Sequence, residues 1–598
     1  MAMNTCWTQL WKVYPNSKHL TIESSYFLSL LMNPLLVVQT QDIHLQRRSK
    51  SATKLARKST SLGALRGWVG IHFLRTVVME LLKNSSDVFL KPLTGNITSC
   101  HVPRYYFRVV SSGKWLDVTK KGDIMIDGEL AFVSATDLLE LISTKQISPI
   151  ELTELYFDRI DRLDSQLNAF LLLTHDEAME TAKAAEAAVI RGDELGPLHG
   201  LPIPIKDTQM TKGIRTTLGS VVYKDRIPER DSAVVERVRE AGGIVMGKTN
   251  VPEFGMVGTC ENSLGISGCN PWNTDRTPGG SSGGAAAAVA AYLCPLATGS
   301  DGGGSIRIPA NLCGVYGIKP SQGRVSGYTG LQGPAMPYMF SQNGPLTRTV
   351  RDAALLLQTL AGHDRRDPTS LRDTPPDFIA AVDREIKGLR IAWSPDFGFA
   401  DVEPDVLNVT STAAQLFEEL GCHVEESDLS MDPPYDTFGA IIAADSYSSQ
   451  GRYLETYGDQ MTEFARFLLE YGAKVTATDY ARALGQMDLL KARMTDLFEE
   501  YDLLLSPTSC FPAFPNGEYP GKWSPDRIFP DQYWNGAFTL PINVIGHPAA
   551  TVPAGFSSDG LPIGLHIVGR NGDEETVLAA SGAFERAQPW IQHRPPVS

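Results

Sequence analysis

A serine in a glycine-rich setting is the first candidate for chemistry in this sequence. Gly279-Gly280-Ser281-Ser282-Gly283 fits G-x-S-x-G, the turn that exposes a nucleophilic serine in α/β-hydrolases. That fold also needs an acid and then a histidine further along the chain. His566 lies in an apolar run, which is typical of a structural histidine. Three histidines are available by position: His547, His566 and His593. The α/β-hydrolase hypothesis therefore takes Ser281 as nucleophile with a downstream histidine as base.

A second glycine-rich segment matches a phosphate-binding pattern. Residues 242–249 read G-x-x-x-x-G-K-T. A phosphate loop must follow a strand and open a helix, because its N–H groups and the helix N-terminus face the anion. Here a helical pattern precedes the glycines, the central residues are apolar strand formers, and Pro252 follows closely. The context therefore argues against nucleotide binding.

The longest pattern joins two serine-bearing segments into one Gly/Ser-rich block. It runs from Pro278-Gly-Gly-Ser-Ser-Gly-Gly to Gly299-Ser-Asp-Gly-Gly-Gly-Ser-Ile-Arg-Ile-Pro309. This block resembles the hallmark of the amidase signature family, and the resemblance covers roughly residues 130–598. Further matching segments occur in the order of the family: 202–207, 247–250, 314–320, 546–553 and 561–565. The resemblance implies an α/β fold with a mixed, twisted central sheet covered by helices on both faces.

The resemblance also implies a Ser-Ser-Lys triad. The family's nucleophile falls on Ser305, its bridging serine, which sits in a cis peptide, on Ser281, and its base on Lys206. A lysine accepts a proton only when neutral, so its pKa must fall from about 10.4 towards neutrality through burial or a nearby cation. The apolar run before Lys206 is consistent with burial. We therefore expect an acyl-enzyme on Ser305, with neither a metal ion nor an organic cofactor.

Three glycines directly before Ser305 are expected to form the oxyanion hole. The family pattern places them at Gly302, Gly303 and Gly304. Glycine permits the backbone angles and the close approach that let successive N–H groups point at one spot. Many members of the family have threonine where Gly302 stands, so this chain keeps the N–H but loosens the loop.

The other polar residues of the block are expected to support the site. Ser282 is interpreted as an assistant of the proton network or of the turn. Asp301 and Arg307 match positions that brace the loop by hydrogen bonds in the family. Lys248 is interpreted as a structural charge at the surface or at a helix end, and not as a second base.

The elements that must position these residues follow from hydrophobic patterning. Ser134, Ser148 and Thr174 each precede an apolar-periodic run and have a carboxylate three residues on, which predicts three capped helices. Short apolar runs at 201–205, 244–246, 296–298 and 315–318 predict buried strands, and 234–241 and 285–293 predict helices between them. This alternation is typical of a mixed α/β sheet covered on both faces.

Charge divides the chain into two parts. Residues 1–125 hold 17 Lys and Arg against 6 Asp and Glu, although the whole chain has a formal net charge of -14. We therefore expect a basic N-terminal extension, 1–128, that is poorly ordered or not native, and an amidase signature domain, 129–598. The apolar run at 26–38 is too short to span a bilayer. The eight cysteines form no C-x-x-C pair, which indicates neither a disulfide framework nor a zinc site.

The expected substrate is a small amide, with a carbamate (urethane) or an ester as related options. An acidic body argues against nucleic acid as a partner. We expect a cytoplasmic monomer or homodimer without a membrane span.

A glutaminyl-tRNA amidotransferase subunit is the alternative, but that branch commonly has Gln after Ile-Arg, where this chain has Ile308. Substrate choice is assigned to 255–261 and 430–540, whose aromatic residues fit a pocket or ordinary core equally well: Tyr435, Phe438, Tyr447, Phe511, Tyr533 and Trp534.

Overall fold

The protein is described by a computed structural model that covers residues 110–111, 114–115, 130–331, 340–518 and 536–598. The chain divides into two units, Met1–Ile124 and Met125–Ser598. In the first unit, β1 (Val110–Ser111) and β2 (Lys114–Trp115) pair antiparallel. The rest of the expected extension, 1–128, lies outside the described residues. None of the helices in the described part of the chain has the length and apolar character of a bilayer-spanning segment.

Helices and a small sheet open the second unit. These elements are α1 (Ala135–Ser143), α2 (Pro149–Leu167), β3 (Phe170–Leu173), α3 (His175–Arg191), β4 (Pro202–Lys206), α4 (Ala233–Glu240) and β5 (Ile244–Thr249). The cap predicted at Ser134 is confirmed, because its side chain accepts the Asp137 N–H at 3.1 Å. Ser148 also caps as predicted, and the carboxylate of Glu151 accepts the Ser148 N–H at 3.3 Å.

The small sheet has the strand order β3-β5-β4. β4 and β5 run parallel, with Ile205 opposite Lys248, and β3 is antiparallel to β5. Residues 244–249 of the segment that matched a phosphate loop therefore form a strand, as the context predicted. Helix α3 follows Thr174 as predicted, but the predicted side-chain cap is wrong, because the Thr174 hydroxyl accepts no helix N–H and instead donates to the Val245 carbonyl in β5 at 3.1 Å.

The larger sheet is built from the remaining strands of the second unit. In chain order these elements are α5 (Gly283–Ala290), β6 (Leu296–Asp301), α6 (Arg307–Cys313), β7 (Tyr316–Lys319), β8 (Gln342–Thr347), α7 (Val350–Leu360), α8 (Phe378–Ala381), β9 (Arg390–Trp393), α9 (Pro404–Glu419), β10 (His423–Glu426), α10 (Tyr435–Gln450), α11 (Leu454–Tyr457), α12 (Glu463–Gly472), α13 (Ala477–Glu500), β11 (Leu503–Pro507), α14 (Leu540–Ile545), β12 (Ala549–Phe556), β13 (Pro562–Gly569) and α15 (Glu574–Ala587). Short 3₁₀ turns occur at Leu130–Phe132, Val221–Tyr223, Glu253–Gly255, Gly451–Tyr453 and Gly458–Gln460.

Among the described residues this sheet has eight strands in the order β10-β9-β11-β13-β12-β7-β8-β6. β9 pairs parallel with β10 and β11, and the other pairs are antiparallel, so the sheet is mixed as predicted. All eight residues of β13 are buried. Because alternate side chains of a strand point to opposite faces, both faces of the sheet are covered at this strand.

The four strands predicted from short apolar runs fall into two sheets. β4 and β5 belong to the small sheet, and β6 and β7 belong to the large one. At the seam, the Lys206 N–H donates to Thr298 Oγ1 in β6 at 3.1 Å. A side-chain hydroxyl stands there in place of a backbone carbonyl, so the hydrogen-bond ladder does not continue from β4 into β6. The seam therefore leaves space for side chains to meet.

Candidate active site

Lys206 stands at this seam as the last residue of β4. Every residue of the strand is buried, and Lys206 itself is 0% exposed. Its Nζ lies 2.8 Å from Ser281 Oγ, 2.8 Å from Ser282 Oγ and 3.0 Å from Ser300 Oγ. The Ser300 carbonyl accepts a hydrogen bond from it at 3.1 Å. One nitrogen is thus surrounded by three hydroxyl groups that can give or take a proton.

Burial also changes the proton affinity of this amine. Burial lowers the pKa of Lys206 from 10.5 to about 7, although the negative charge of Asp301 and the Cys260 thiol oppose the shift. The charged ammonium loses its hydration in the interior, and hydroxyl dipoles replace only part of it. A substantial fraction of Lys206 is therefore neutral near pH 7, and this is the form that accepts a proton.

Ser281 and Ser282 lie in the loop before α5. The peptide bond between Gly280 and Ser281 is cis. Ser281 is 3% exposed, and Ser282 is fully buried at the N-cap of the helix. The Ser282 N–H donates to the Ser305 carbonyl at 3.1 Å, which ties this loop to the loop between β6 and α6. The structure therefore brings together the two serine-bearing segments, whose serines Ser281 and Ser305 are 24 positions apart in the sequence.

Ser305 lies in the second loop and is partly exposed. Its hydroxyl makes no hydrogen bond with the described residues, whereas the Ser281 hydroxyl is held by Lys206. A nucleophile has to be reached by substrate, and hydrogen bonds in an unliganded site often form only when substrate binds. The buried serine of the pair is thus the one bound to Lys206, and the accessible one is Ser305.

Ser300 is a contact of Lys206 that sequence reasoning missed. Ser300 and Thr298 are two residues apart in β6, and Thr298 accepts the Lys206 backbone N–H. Side chains two apart share one face of a strand, so the predicted strand at 296–298, extended by two residues, would have placed both hydroxyls toward β4. The alternation of side chains along the strand, and not the family pattern, would have identified Ser300.

The three glycines before Ser305 differ in what their N–H groups do. The Gly304 N–H donates to Asp301 Oδ1 at 2.8 Å, and Gly304 has a φ of 123°. The N–H groups of Gly302, Gly303 and Ser305 have no acceptor among the described residues. A side chain at Gly304 would overlap Thr539, so this position requires glycine for space as well as for its φ. Of the expected donors, Gly304 is the one already bound.

Asp301 and Arg307 form a buried pair beneath this loop. The Arg307 Nη2 lies 2.9 Å from Asp301 Oδ1, and both side chains are fully buried. Asp301 Oδ2 also accepts the Ile306 N–H at 3.1 Å. Burial by itself would raise the pKa of Asp301, but the charge and hydrogen bonds of Arg307 hold that pKa well below its usual range. A permanently charged carboxylate therefore fixes the loop from below.

Asn543 and Thr539 of the α14 region complete that brace. Arg307 donates to the Thr539 carbonyl at 3.0 Å and to Asn543 Oδ1 at 2.5 Å. The Asn543 side chain donates in turn to Asp301 Oδ1 at 2.9 Å. The loop is thus anchored to a helix more than 230 positions away in the sequence, and sequence patterning gave no signal for this anchor.

Lys248 is not the surface or helix-end charge that the sequence analysis expected. It is 0% exposed in the middle of the small sheet. Its Nζ donates to the Gln209 carbonyl at 2.5 Å and to Thr211 Oγ1 at 2.8 Å. The sequence analysis predicted a strand that ends at Met246, which would leave Lys248 outside the sheet. The strand instead continues through Thr249 and buries Lys248. Its interpretation as a structural residue still agrees with these partners.

The histidines of the α/β-hydrolase hypothesis contact other groups than Ser281. His566 Nε2 lies 3.0 Å from Arg307 Nη1, and its Nδ1 lies 3.3 Å from Ser506 Oγ. Burial, reinforced by the charge of Arg307, lowers the pKa of His566 well below its usual value. His547 bonds the Gly569 carbonyl at 3.0 Å, and His593 packs its ring on Phe556.

The aromatic residues considered for a pocket separate into different environments. Phe438 and Tyr435 belong to one buried cluster, whereas Phe511 belongs to another. Tyr447 is 41% exposed. Tyr533 and Trp534 lie outside the described residues. In the described part of the chain no group of three His, Cys, Asp or Glu side chains is placed to hold a metal ion.

Comparison with known proteins places the chain in a family. The family model described as Amidase matches residues 151–578. The chain is 37% identical over 474 residues to an acylamidase from Rhodococcus erythropolis, covering 79% of this chain and 98% of the relative. It is 39% identical over 491 residues to one subunit of the glutamyl-tRNA(Gln) amidotransferase from Moorella thermoacetica, covering 78% of this chain and 99% of the relative.

Solved structures agree with the sequence matches. The crystal structure of a bacterial aryl acylamidase of the amidase signature family superposes with a TM-score of 0.72 at 34% identity, covering 77% of this chain and 97% of that chain. This likeness confirms the predicted fold class. The chain therefore belongs to the amidase signature family, which includes hydrolases of carbon–nitrogen amide bonds such as the acylamidases.

Proposed function

We propose that the protein is an amidohydrolase that forms an acyl-enzyme on Ser305, with Ser281 relaying protons between Ser305 and Lys206. The observation that carries this proposal is the contact of a buried lysine, whose pKa is lowered to about 7, with Ser281 Oγ at 2.8 Å. A serine hydroxyl attacks an amide poorly unless a base takes its proton as the new bond forms. Lys206 has the burial, the proton affinity and the hydroxyl neighbour that this role needs.

Acylation follows from these contacts. Ser305 Oγ forms a bond to the substrate carbonyl carbon and gives its proton to Ser281, which passes its own proton to neutral Lys206. The carbonyl electron pair moves onto the oxygen to make a tetrahedral oxyanion. When that intermediate collapses, the carbon–nitrogen bond breaks and the departing amine takes a proton from Ser281, which Lys206 replenishes. The ester on Ser305 and the free amine are the products of this half.

Deacylation repeats the relay with water. A water molecule attacks the Ser305 ester and gives one proton to Ser281, which passes its own proton to neutral Lys206. Collapse of the second oxyanion breaks the bond to Ser305 Oγ, which recovers its proton, and the carboxylic acid leaves. Carbamates and esters present the same carbonyl to Ser305, so they are candidate substrates of the same site.

The oxyanion is assigned to the N–H groups of Gly302, Gly303 and Ser305. This set differs from the three glycines expected from the sequence, because the Gly304 N–H is engaged by Asp301 at 2.8 Å. Preorganised donors cost no reorientation when charge develops, so fixing the loop contributes to the rate. The Asp301–Arg307 pair supplies that fixation, and Ser282 and Ser300 hold the Lys206 amine in place.

An amidotransferase subunit is the second candidate function, since the relative from Moorella thermoacetica is as similar as the acylamidase. Ile308, in place of the glutamine common in that branch, favours a free-standing hydrolase. We propose that this hydrolase acts as a monomer or homodimer. The two proposals differ in their need for a partner. Turnover of simple amides by the purified chain supports the hydrolase, whereas activity only after addition of partner subunits supports the amidotransferase.

A hydrolysis panel tests the proposed function. Purified protein is given aryl anilides, aliphatic amides, carbamates and esters, and Ser305→Ala serves as the control. We expect at least one amide to be turned over about 10⁴-fold faster than by the Ser305→Ala variant, because that variant keeps the fold but lacks the attacking oxygen. Equal rates for the two proteins would refute the proposal.

The domain boundary is tested in the same panel. We propose that residues 129–598 form the catalytic domain and that the extension before it is dispensable for turnover. A protein that begins at Met125 should match the full chain in kcat and KM. A large loss of kcat in the shortened protein, with its circular dichroism unchanged, would assign the extension a part in catalysis.

A further inference from the structure

The ring of Phe438 lies against the loop that carries Ser305. A Cβ atom built on Gly303 would lie 3.1 Å from Phe438 Cζ and 3.7 Å from its Cε1. Phe438 belongs to α10 and is 3% exposed. Helix α10 thus brings an aromatic residue from the stretch 430–540 to a glycine whose N–H is a proposed oxyanion donor. The ring therefore adjoins the loop that is proposed to hold the oxyanion.

The ring is held by an apolar cluster and is not free to move aside. Phe340 packs on it with 5.4 Å between ring centroids and 30° between the planes. Residues 255–261, the other stretch assigned to substrate choice, contribute Val257 to the same cluster. Further buried members come from α10 and α14: Tyr435, Ile441 and Leu540. Close packing of this kind fixes the position of the ring beside Gly303.

The charges on α10 are directed elsewhere. The helix carries two carboxylates, and Asp436 is exposed to solvent. Asp445 lies two turns beyond Phe438 and accepts a hydrogen bond from the Tyr480 hydroxyl at 3.1 Å. Asp301, the carboxylate at the loop itself, is neutralised by Arg307 at 2.9 Å. A charged substrate group beside Phe438 would therefore lose its hydration without gaining a counter-ion from these residues.

The proton relay decides which half of the substrate faces the ring. The departing nitrogen takes its proton from Ser281, so the leaving group lies on the Ser281 side of the carbonyl. Gly255 also lies near Ser281, because a Cβ built on it would lie 3.5 Å from Ser281 Oγ. The carbonyl oxygen faces the N–H groups of Gly302 and Gly303, so the acyl group takes the third side of the carbonyl, which we assign to the side of the loop where Phe438 adjoins Gly303.

We propose that Phe438 is a specificity-determining residue that selects an uncharged, apolar acyl group beside the scissile carbonyl. This inference rests on the proposed function, because it takes Ser305 as the nucleophile. Apolar chains and aryl rings gain contact with a fixed aromatic face, whereas an acyl group with ammonium and carboxylate charges, such as γ-glutamyl, is disfavoured. The inference thus assigns the site to apolar acyl amides.

A set of 4-nitroanilides with one common leaving group tests the inference. The acyl groups are acetyl, butyryl, phenylacetyl and γ-glutamyl, and kcat/KM is measured for the wild type, Phe438→Ala and Phe464→Ala. Phe464 is the matched control, since it belongs to the same cluster but is contributed by α12. Labelling of Ser305 by a small fluorophosphonate reports whether each variant keeps an intact nucleophile.

We expect the wild type to prefer butyryl and phenylacetyl over acetyl by about tenfold or more, and over γ-glutamyl by about 100-fold or more. Phe438→Ala should lower the preference for the larger apolar groups about tenfold, with the acetyl substrate changed less than about threefold. Phe464→Ala should keep the wild-type preference. If Phe438→Ala fails to fold, Phe438→Leu keeps an apolar side chain and should lower the preference about threefold.

Several results would overturn the inference. An unchanged acyl preference in the Phe438 variants, with wild-type turnover and Ser305 labelling intact, removes the role of Phe438 and leaves the proposed function standing. A uniform loss for all acyl groups makes Phe438 a support of the loop only. Faster turnover of the γ-glutamyl substrate contradicts the apolar assignment. Absence of turnover and of labelling in the wild type refutes the proposed function and this inference together.

Discussion

Lys206 and Lys248 lie on neighbouring parallel strands of one small sheet, and both are fully buried. Burial lowers the pKa of Lys206 to about 7 and that of Lys248 to about 8. Their partners differ. Lys206 contacts three serine hydroxyls at the seam between the sheets, whereas Lys248 donates to the Gln209 carbonyl and to the Thr211 hydroxyl.

The difference teaches that a lowered pKa does not by itself mark a catalytic base. Both amines are depleted of charge for the same reason, which is loss of hydration in the interior. Lys248 has one hydroxyl neighbour, Thr211, and that hydroxyl donates in turn to the Gln209 carbonyl at 3.1 Å. A carbonyl oxygen can accept a hydrogen bond but has no proton to give, so the hydrogen bonds of Lys248 end there. The neighbourhood of Lys206 continues through Ser281 toward the loop of Ser305. The neighbours of the amine therefore decide its function.

The largest expected effect separates the two lysines directly. Lys206→Met should lower kcat/KM by about 10³-fold or more, since it removes the proton acceptor while keeping an apolar chain of similar length. Lys248→Met should stay within about threefold of the wild type. Steady-state kinetics with one amide substrate measures both, and circular dichroism checks the fold. Comparable losses of kcat/KM in the two variants would contradict the assignment of Lys206, and not Lys248, as the base.

The hydroxyls around the two amines provide the second contrast. Ser281→Ala should lower kcat/KM by about 10²- to 10³-fold because the relay to Ser305 is cut. Ser300→Ala, which removes a contact at 3.0 Å from Lys206 but leaves the relay, should cost about tenfold. Thr211→Val, beside Lys248, is the matched control and should leave the rate unchanged. A Ser281 effect no larger than the Ser300 effect would argue against the relay.

The pH dependence of turnover sharpens the assignment of the base. Only neutral Lys206 accepts a proton, so kcat/KM should rise with pH, with a midpoint near 7, and fall about tenfold per pH unit below it. Lys248→Met should show the same rise of kcat/KM with pH, with the same midpoint. Lys206→Arg should show no recovery at high pH, because a guanidinium stays protonated. A shift of this midpoint in Lys248→Met would show that the rise of kcat/KM with pH reports Lys248 and not Lys206.

The smallest effect is on stability and comes from Lys248. Its pKa is about 8 in the folded protein and about 10.5 in the unfolded chain, so the unfolded state holds more protons between these pH values. The free energy of unfolding should therefore rise with pH in this window, by up to about 1.4 kcal/mol per pH unit from this group. Urea unfolding at pH 8 and pH 10 should show a smaller rise in Lys248→Met than in the wild type. Equal slopes would show that Lys248 is charged when folded.

Local patterns were predictable from the sequence and long-range contacts were not. The caps at Ser134 and Ser148 depend on residues within one helical turn, and the family pattern gave the order of the blocks. The hydroxyl of Thr174 instead bonds β5, which only the tertiary fold brings close. The engagement of the Gly304 N–H and the contact of Phe438 with Gly303 likewise depend on residues that meet in space.

The measurement that tests the central claim most directly is the site of covalent labelling. A fluorophosphonate forms a stable bond to an activated serine oxygen, and peptide mass spectrometry then locates the adduct. The account predicts an adduct on Ser305 that is lost in Ser305→Ala and slowed in Lys206→Met. An adduct on Ser281 that persists in Ser305→Ala would contradict the account and make Ser281 the nucleophile.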